Sequence, residues 1–160
     1  KSKMMNYILI IIISFLGIYF GKLLRKIAKE EIKSGTKILT NFEYLILLIL
    51  VIILLYYSKF TLTSLIFFVI GMLINIFLRI RYLYLGLALF SSLLVSKELF
   101  LIVSSLIFLY GLFYGTLSDK NIKYNLIFFL PMILLLFKEP LVNYNTLILS
   151  FTAGTLFLRS

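Results

Sequence analysis

The chain has no cysteine, no histidine, no tryptophan and no glutamine, and only two of its 160 residues are proline. Without cysteine or histidine there are no disulfides, thiolate nucleophiles, Cys/His zinc sites or histidine-ligated haem. Acidic residues are also scarce, six against sixteen basic ones. All six (Glu30, Glu31, Glu43, Glu98, Asp119 and Glu139) stand at or near the ends of apolar runs. Mid-depth ionisable groups mark ion paths and proton relays. Their absence argues against a proton-coupled pump and against a two-aspartate intramembrane protease. No metal site and no cofactor are expected.

Apolar residues fill the space that these absences leave. Some 62% of the chain is hydrophobic and only 14% is charged, with a mean hydropathy of +1.13. A soluble domain carries about a quarter charged residues, and one globular core cannot hide this surplus. The fold class expected is an all-α integral membrane bundle, a single transmembrane domain over residues 1–160. The net charge of +10 is not read as nucleic-acid binding, because most Lys and Arg lie between apolar runs, where cytoplasmic loops carry them.

Seven apolar runs can be counted, at about 5–21, 44–58, 60–79, 82–96, 98–118, 122–137 and 141–158. A straight span needs about 20 residues. The run 82–96 would reach only about 22 Å at 1.5 Å per residue, so six or seven short transmembrane helices are expected. Lys1 and Lys3 precede the first run, but no small-x-small cleavage site follows it, so it reads as a retained helix. If all seven runs span, eleven basic residues fall on one side and five on the other. The positive-inside rule then puts the N-terminus outside and the C-terminus in the cytoplasm. The abundance of Ile, Lys, Asn and Tyr suggests an AT-rich prokaryotic genome, and hence a plasma membrane.

Two stretches resemble each other: Leu16-Gly17-Ile18-Tyr19-Phe20-Gly21-Lys22-Leu23 and Tyr110-Gly111-Leu112-Phe113-Tyr114-Gly115-Thr116-Leu117. Each GxxxG pair lies on one helical face, where it lets another backbone approach. Their recurrence suggests an internal repeat, with a three-helix unit at 5–79, a connector helix at 82–96 and a second three-helix unit at 98–158. Gly71 and Gly154 are read as helix-packing positions alongside Gly17, Gly21, Gly111 and Gly115. This 3+1+3 layout resembles that of the sugar-transporting SWEET proteins. Their proline–glutamine signature is absent, so the resemblance implies an arrangement of helices and no sugar substrate.

Small and weakly polar residues form stripes, such as Ser64-Gly71-Asn75 and Ser104-Gly111-Gly115. Packing between helices is their plain role. If the stripes converge on a pathway, Asn75, Asn145, Thr152 and Ser104 are the groups expected to line it. Residues 22–37 read as an amphipathic interfacial extension of the first helix, with Gly35 at its end and Lys22, Arg25, Lys26 and Lys29 facing anionic lipid head groups. Glu43 and Glu98 are read as opening helices, and Pro131 as a kink.

These features suggest a transporter or facilitator of a small neutral or weakly charged solute. The alternative is a non-catalytic subunit or scaffold, packing through its glycine faces against partner membrane helices or a second copy. A third reading is a lipid-modifying enzyme acting at the inner interface through residues 22–37, with Lys22, Arg25 and Lys26 joined by the carboxylate of Asp119 as its charged groups. The partners expected are the bilayer and its anionic head groups.

Overall fold

A computed structural model describes residues 2–59, 61–118 and 122–158, which are helical apart from short connections, with no strand among them. The elements are α1 (Ser2–Ile27), α2 (Lys29–Tyr57), α3 (Leu62–Phe77), α4 (Arg81–Val95), α5 (Lys97–Leu117), a 3₁₀ helix (Ile122–Phe137), α6 (Lys138–Leu141), a 3₁₀ turn (Val142–Tyr144) and α7 (Asn145–Phe157). Met5–Ile27, Lys29–Tyr57 and Lys97–Leu117 are long and apolar enough to cross a membrane. The helices Ile122–Leu135 and Glu139–Phe157 pass the same test only as a pair, and they meet at a bend of 93°.

Local structure departs from the sequence expectation in three places. The segment 22–37 is shared between two helices. The Ala28 N–H donates to Leu24 at 2.8 Å and its carbonyl accepts from Ile32 at 3.0 Å, so the ladder passes through the junction. Glu30 and Glu31 occupy the first turn of α2, where negative charge favours the positive helix terminus. Gly35 and Glu43 therefore lie inside α2 and neither starts nor ends a helix. Second, the run at 122–137 winds as a 3₁₀ helix with Pro131 inside it. Proline removes a backbone donor there. At about 2.0 Å per residue, this winding stretches 16 residues to about 32 Å, against about 24 Å for an α-helix. Third, α7 begins only at Asn145, after the short turns at 138–144.

Nothing lies within 4 Å of a Cβ placed on Gly35. Gly35→Ala should therefore stabilise α2 by about 0.5–1 kcal/mol, through helix propensity alone. A shift in thermal midpoint in detergent would measure it, and a loss of stability would mean that this surface is covered.

The chain divides into two compact units, Lys1–Leu47 with Ser104–Tyr124, and Leu48–Val103 with Asn125–Ser160. In the first, α1 and α5 run in the same direction, since Gly17 meets Phe108, Gly21 meets Leu112, and Arg25 bonds to Leu117. The approach is backbone to backbone. A Cβ on Gly17 would overlap the Phe108 carbonyl oxygen, and one on Gly21 would overlap that of Leu112. Reciprocally, a Cβ on Gly115 would overlap the Ile18 carbonyl oxygen, and one on Gly111 would sit 3.0 Å from the Ile18 nitrogen. Aromatic rings flank the seam, with Phe42 stacked on Phe113 at 5.7 Å and Phe20 tilted against Phe108 at 6.1 Å.

In the second unit, α3 and α7 also run parallel. A Cβ on Gly71 would overlap the Phe151 carbonyl oxygen, and one on Gly154 that of Phe68. Thr61 and Ser64 open α3 with a reciprocal capping box, both bonds 3.2 Å long. Eleven of the fifteen residues of α4 are buried, as an all-round apolar helix requires. The short run at 82–96 is thus the core of this unit, packed on α7 and, through Gly86, against the Phe128 carbonyl of the 3₁₀ helix.

Helix α3 is inside out by the standard of water-soluble proteins. Its buried residues are Ser64, Gly71 and Asn75, while Leu65, Ile66, Ile70, Leu73 and Ile76 are exposed. A helix on a soluble core shows the opposite pattern.

Candidate functional site

Most buried hydroxyls are consumed by their own helices. Ser14 donates to Ile10 at 2.8 Å, Ser150 to Thr146 at 2.9 Å, Thr152 to Ile148 at 2.7 Å and Thr155 to Thr152 at 2.7 Å. Such bonds satisfy the hydroxyl without a second helix or a ligand. The buried amides are placed differently. Asn75, only 2% exposed, donates through Nδ2 to the Leu158 carbonyl at 3.0 Å, while its Oδ1 has no partner among the described residues. Asn125, 7% exposed on the 3₁₀ helix, likewise has no partner for Nδ2 among those residues. An unpaired buried amide group costs about 1–3 kcal/mol, so each of these two neutral atoms would gain from a polar partner.

The other pathway residues are spread out. Asn145 is half-buried at the first turn of α7. Asn75 reaches the far end of the same helix, about 20 Å away at 1.5 Å per residue. Thr152 is buried between these two levels and bonded to its own helix, whereas Ser104 is buried in the first unit. Within the second unit, Asn145, Thr152 and Asn75 thus stand at three successive levels along α7.

Positive charge gathers at the C-terminal end of α1. Lys22, Arg25, Lys26 and Lys29 recur at intervals of three and four, and the unbroken ladder through Ala28 keeps that periodicity across the junction. They line an open cleft of about 440 Å³ together with Ser118. A second cleft of about 260 Å³ shares Arg25 and Lys29 and adds Ile32, Lys33, Thr36, Thr116 and Leu117. Arg25 Nη1 also donates to the Leu117 carbonyl at 3.4 Å. That carbonyl ends α5, at the negative pole of its dipole.

Sequence reasoning missed three features. Asn125 sits just inside an apolar run, where it resembles any boundary residue. Gly86 has no second glycine to announce a packing face. Glu43 is buried in the middle of α2 and has a polar or electrostatic contact there. Asp119, weighed as a carboxylate for interfacial chemistry, lies outside the described residues. Among those residues, no group of three or more His, Cys, Asp or Glu could hold a metal ion.

No family model, no curated protein and no solved structure matches this chain.

Proposed function

We propose that the chain is a multi-pass integral membrane protein, built from two parallel three-helix units at 5–79 and 98–158, that acts as a facilitator for a small neutral or weakly charged solute. The polarity of α3 supports the membrane setting. Exposed leucine and isoleucine with buried serine, glycine and asparagine is the arrangement that lipid favours. If all seven runs span, the positive-inside count gives an external N-terminus and a cytoplasmic C-terminus in a plasma membrane.

Two helix pairs support the duplication. In the proposed repeat, α1 corresponds to α5 and α3 to α7, and each pair is parallel and packed through glycine. In each, a side chain four residues beyond a packing glycine ties down the partner's C-terminal end: Arg25 to Leu117, and Asn75 to Leu158. Parallel repeats of this kind are one of the plans on which facilitators are built.

The observation that carries the solute class is the pair of unpartnered buried amide atoms, Asn75 Oδ1 and Asn125 Nδ2. One is an acceptor and the other a donor, and neither bears charge, which suits an uncharged hydroxyl- or amide-bearing solute. Asn145 and Thr152, on α7, extend the polar positions along the direction that a solute would travel. Because Gly17, Gly21, Gly71 and Gly154 are occupied within the chain, the scaffold reading draws less support from them than the facilitator reading does from the amides.

Light-scattering traces of proteoliposomes shrinking and reswelling in glycerol, urea or a monosaccharide test this reading. The expected result is faster entry of at least one solute than in protein-free vesicles, slowed several-fold by Asn145→Leu. Permeability equal to empty vesicles across the panel would remove it.

A further inference from the structure

We propose that the paired clefts at the α1–α2 junction form a phosphate site, and that its occupant is the head group of an anionic phospholipid. The proposal rests on the membrane reading above only for the source of the phosphate. The site itself is a matter of charge and shape. Lys22, Arg25, Lys26 and Lys29 occupy one stripe, with Lys33 continuing it along α2. Like charges three or four residues apart on a helix work against it. An anion held between them reverses the sign of that contribution.

The lining chemistry suits a phosphate. No acidic side chain lines either cleft among the described residues; Glu30 and Glu31 are exposed on the same segment but do not line them. Ser118, Thr116 and Thr36 bring hydroxyl groups to the walls. Arg25 belongs to both clefts and is anchored at the end of α5 by its bond to Leu117, and a guanidinium is the side chain best shaped to bind an oxyanion. At about 440 Å³, the larger cleft falls within the range of small-molecule sites.

Its neighbours indicate the source of the ligand. Leu23, Leu24 and Ile27, interleaved with the cations, are 53%, 42% and 75% exposed. Apolar and basic residues mixed at the end of an apolar run mark the level where acyl chains give way to head groups. A lipid would satisfy both sets at once, its phosphate in the cleft and its chains against the leucines. A free phosphate would satisfy only the first.

Purified protein in detergent, mixed with equal amounts of phosphatidylglycerol and phosphatidylcholine and read by native mass spectrometry, tests the proposal. Retention of phosphatidylglycerol is expected to exceed that of phosphatidylcholine at least ten-fold. Lys26→Ala with Lys29→Ala should cut it at least five-fold while leaving the Arg25–Leu117 bond in place, and Lys59→Ala with Lys97→Ala should not. Added inorganic phosphate at millimolar concentration separates the two sources. Failure to displace the lipid supports the head group, and displacement supports a soluble phosphate ligand at the same site. Equal retention of the two lipids, or no loss in the Lys26/Lys29 variant, would overturn the proposal. Because the phosphate arm needs no bilayer, it stands or falls separately from the membrane reading.

Discussion

Gly21→Leu is expected to abolish the native pairing of α1 with α5. A side chain at this position meets backbone on every near side: the Leu112 carbonyl lies in its path, and the Gly115 Cα is 2.9 Å from where its Cβ would stand. Overpacking a core costs about 1–3 kcal/mol when neighbouring side chains can turn aside. Backbone atoms cannot turn aside, so the helices must separate, and the close contact at Gly17 is lost with them. A cost above about 3 kcal/mol follows, a large share of the stability of a small domain. Fluorescence-detected size exclusion in mild detergent should show the monodisperse peak lost. Gly115→Leu, which runs into the Ile18 carbonyl, should do the same. Because both variants break the same contact, the double variant should be little worse than either alone. A well-folded Gly21→Leu protein would mean that α1 and α5 do not touch through this face.

Asn75→Asp should make stability depend steeply on pH. At low pH, the protonated acid matches the amide in shape, and its O–H can donate to the Leu158 carbonyl as Nδ2 does now. At neutral pH an ionised carboxylate, buried to the 2% level of Asn75, would face a carbonyl oxygen with no donor between them. Burial without a partner raises a carboxyl pKa. The folded state therefore holds its proton longer than the unfolded chain, whose Asp titrates near about 3.9. Stability falls as pH rises above that value, by about 1.4 kcal/mol per unit, and levels off beyond the folded-state pKa. Thermal midpoints from about pH 4 to pH 8 should decline for the variant and hold steady, by comparison, for the parent protein. Parallel profiles would show that position 75 is hydrated.

How much of this could be read from the sequence varies with the range of the interaction. The glycine faces of α1 and α5 were legible because a four-residue spacing is itself the helical geometry of a flat face. The basic stripe was legible for the same reason, although the two clefts it lines were not. Gly35 and Glu43 misled because a glycine suggests a helix end and a glutamate a helix start. In the fold, both lie inside one continuous helix of 29 residues, whose cooperative propagation outweighs a single glycine. The central position of α4 could not be derived from its own residues, since a short all-apolar helix looks the same against lipid and against protein. Asn125 was invisible because burial of a boundary residue depends on how the 3₁₀ helix is placed, and no local periodicity encodes that.

The central claim is that lipid, not water, covers the apolar face of α3. The absence of native cysteine makes it directly measurable, since one introduced thiol carries the only label. Spin labels at Ile66→Cys, Ile70→Cys and Leu73→Cys in reconstituted vesicles can be challenged with oxygen, which concentrates in lipid, and with a water-soluble nickel chelate. All three positions should collide frequently with oxygen and rarely with the chelate, while a label at Ser64→Cys, on the packed face, should be less accessible to oxygen. High chelate accessibility at Ile66, Ile70 and Leu73 would place that face in water and contradict the account.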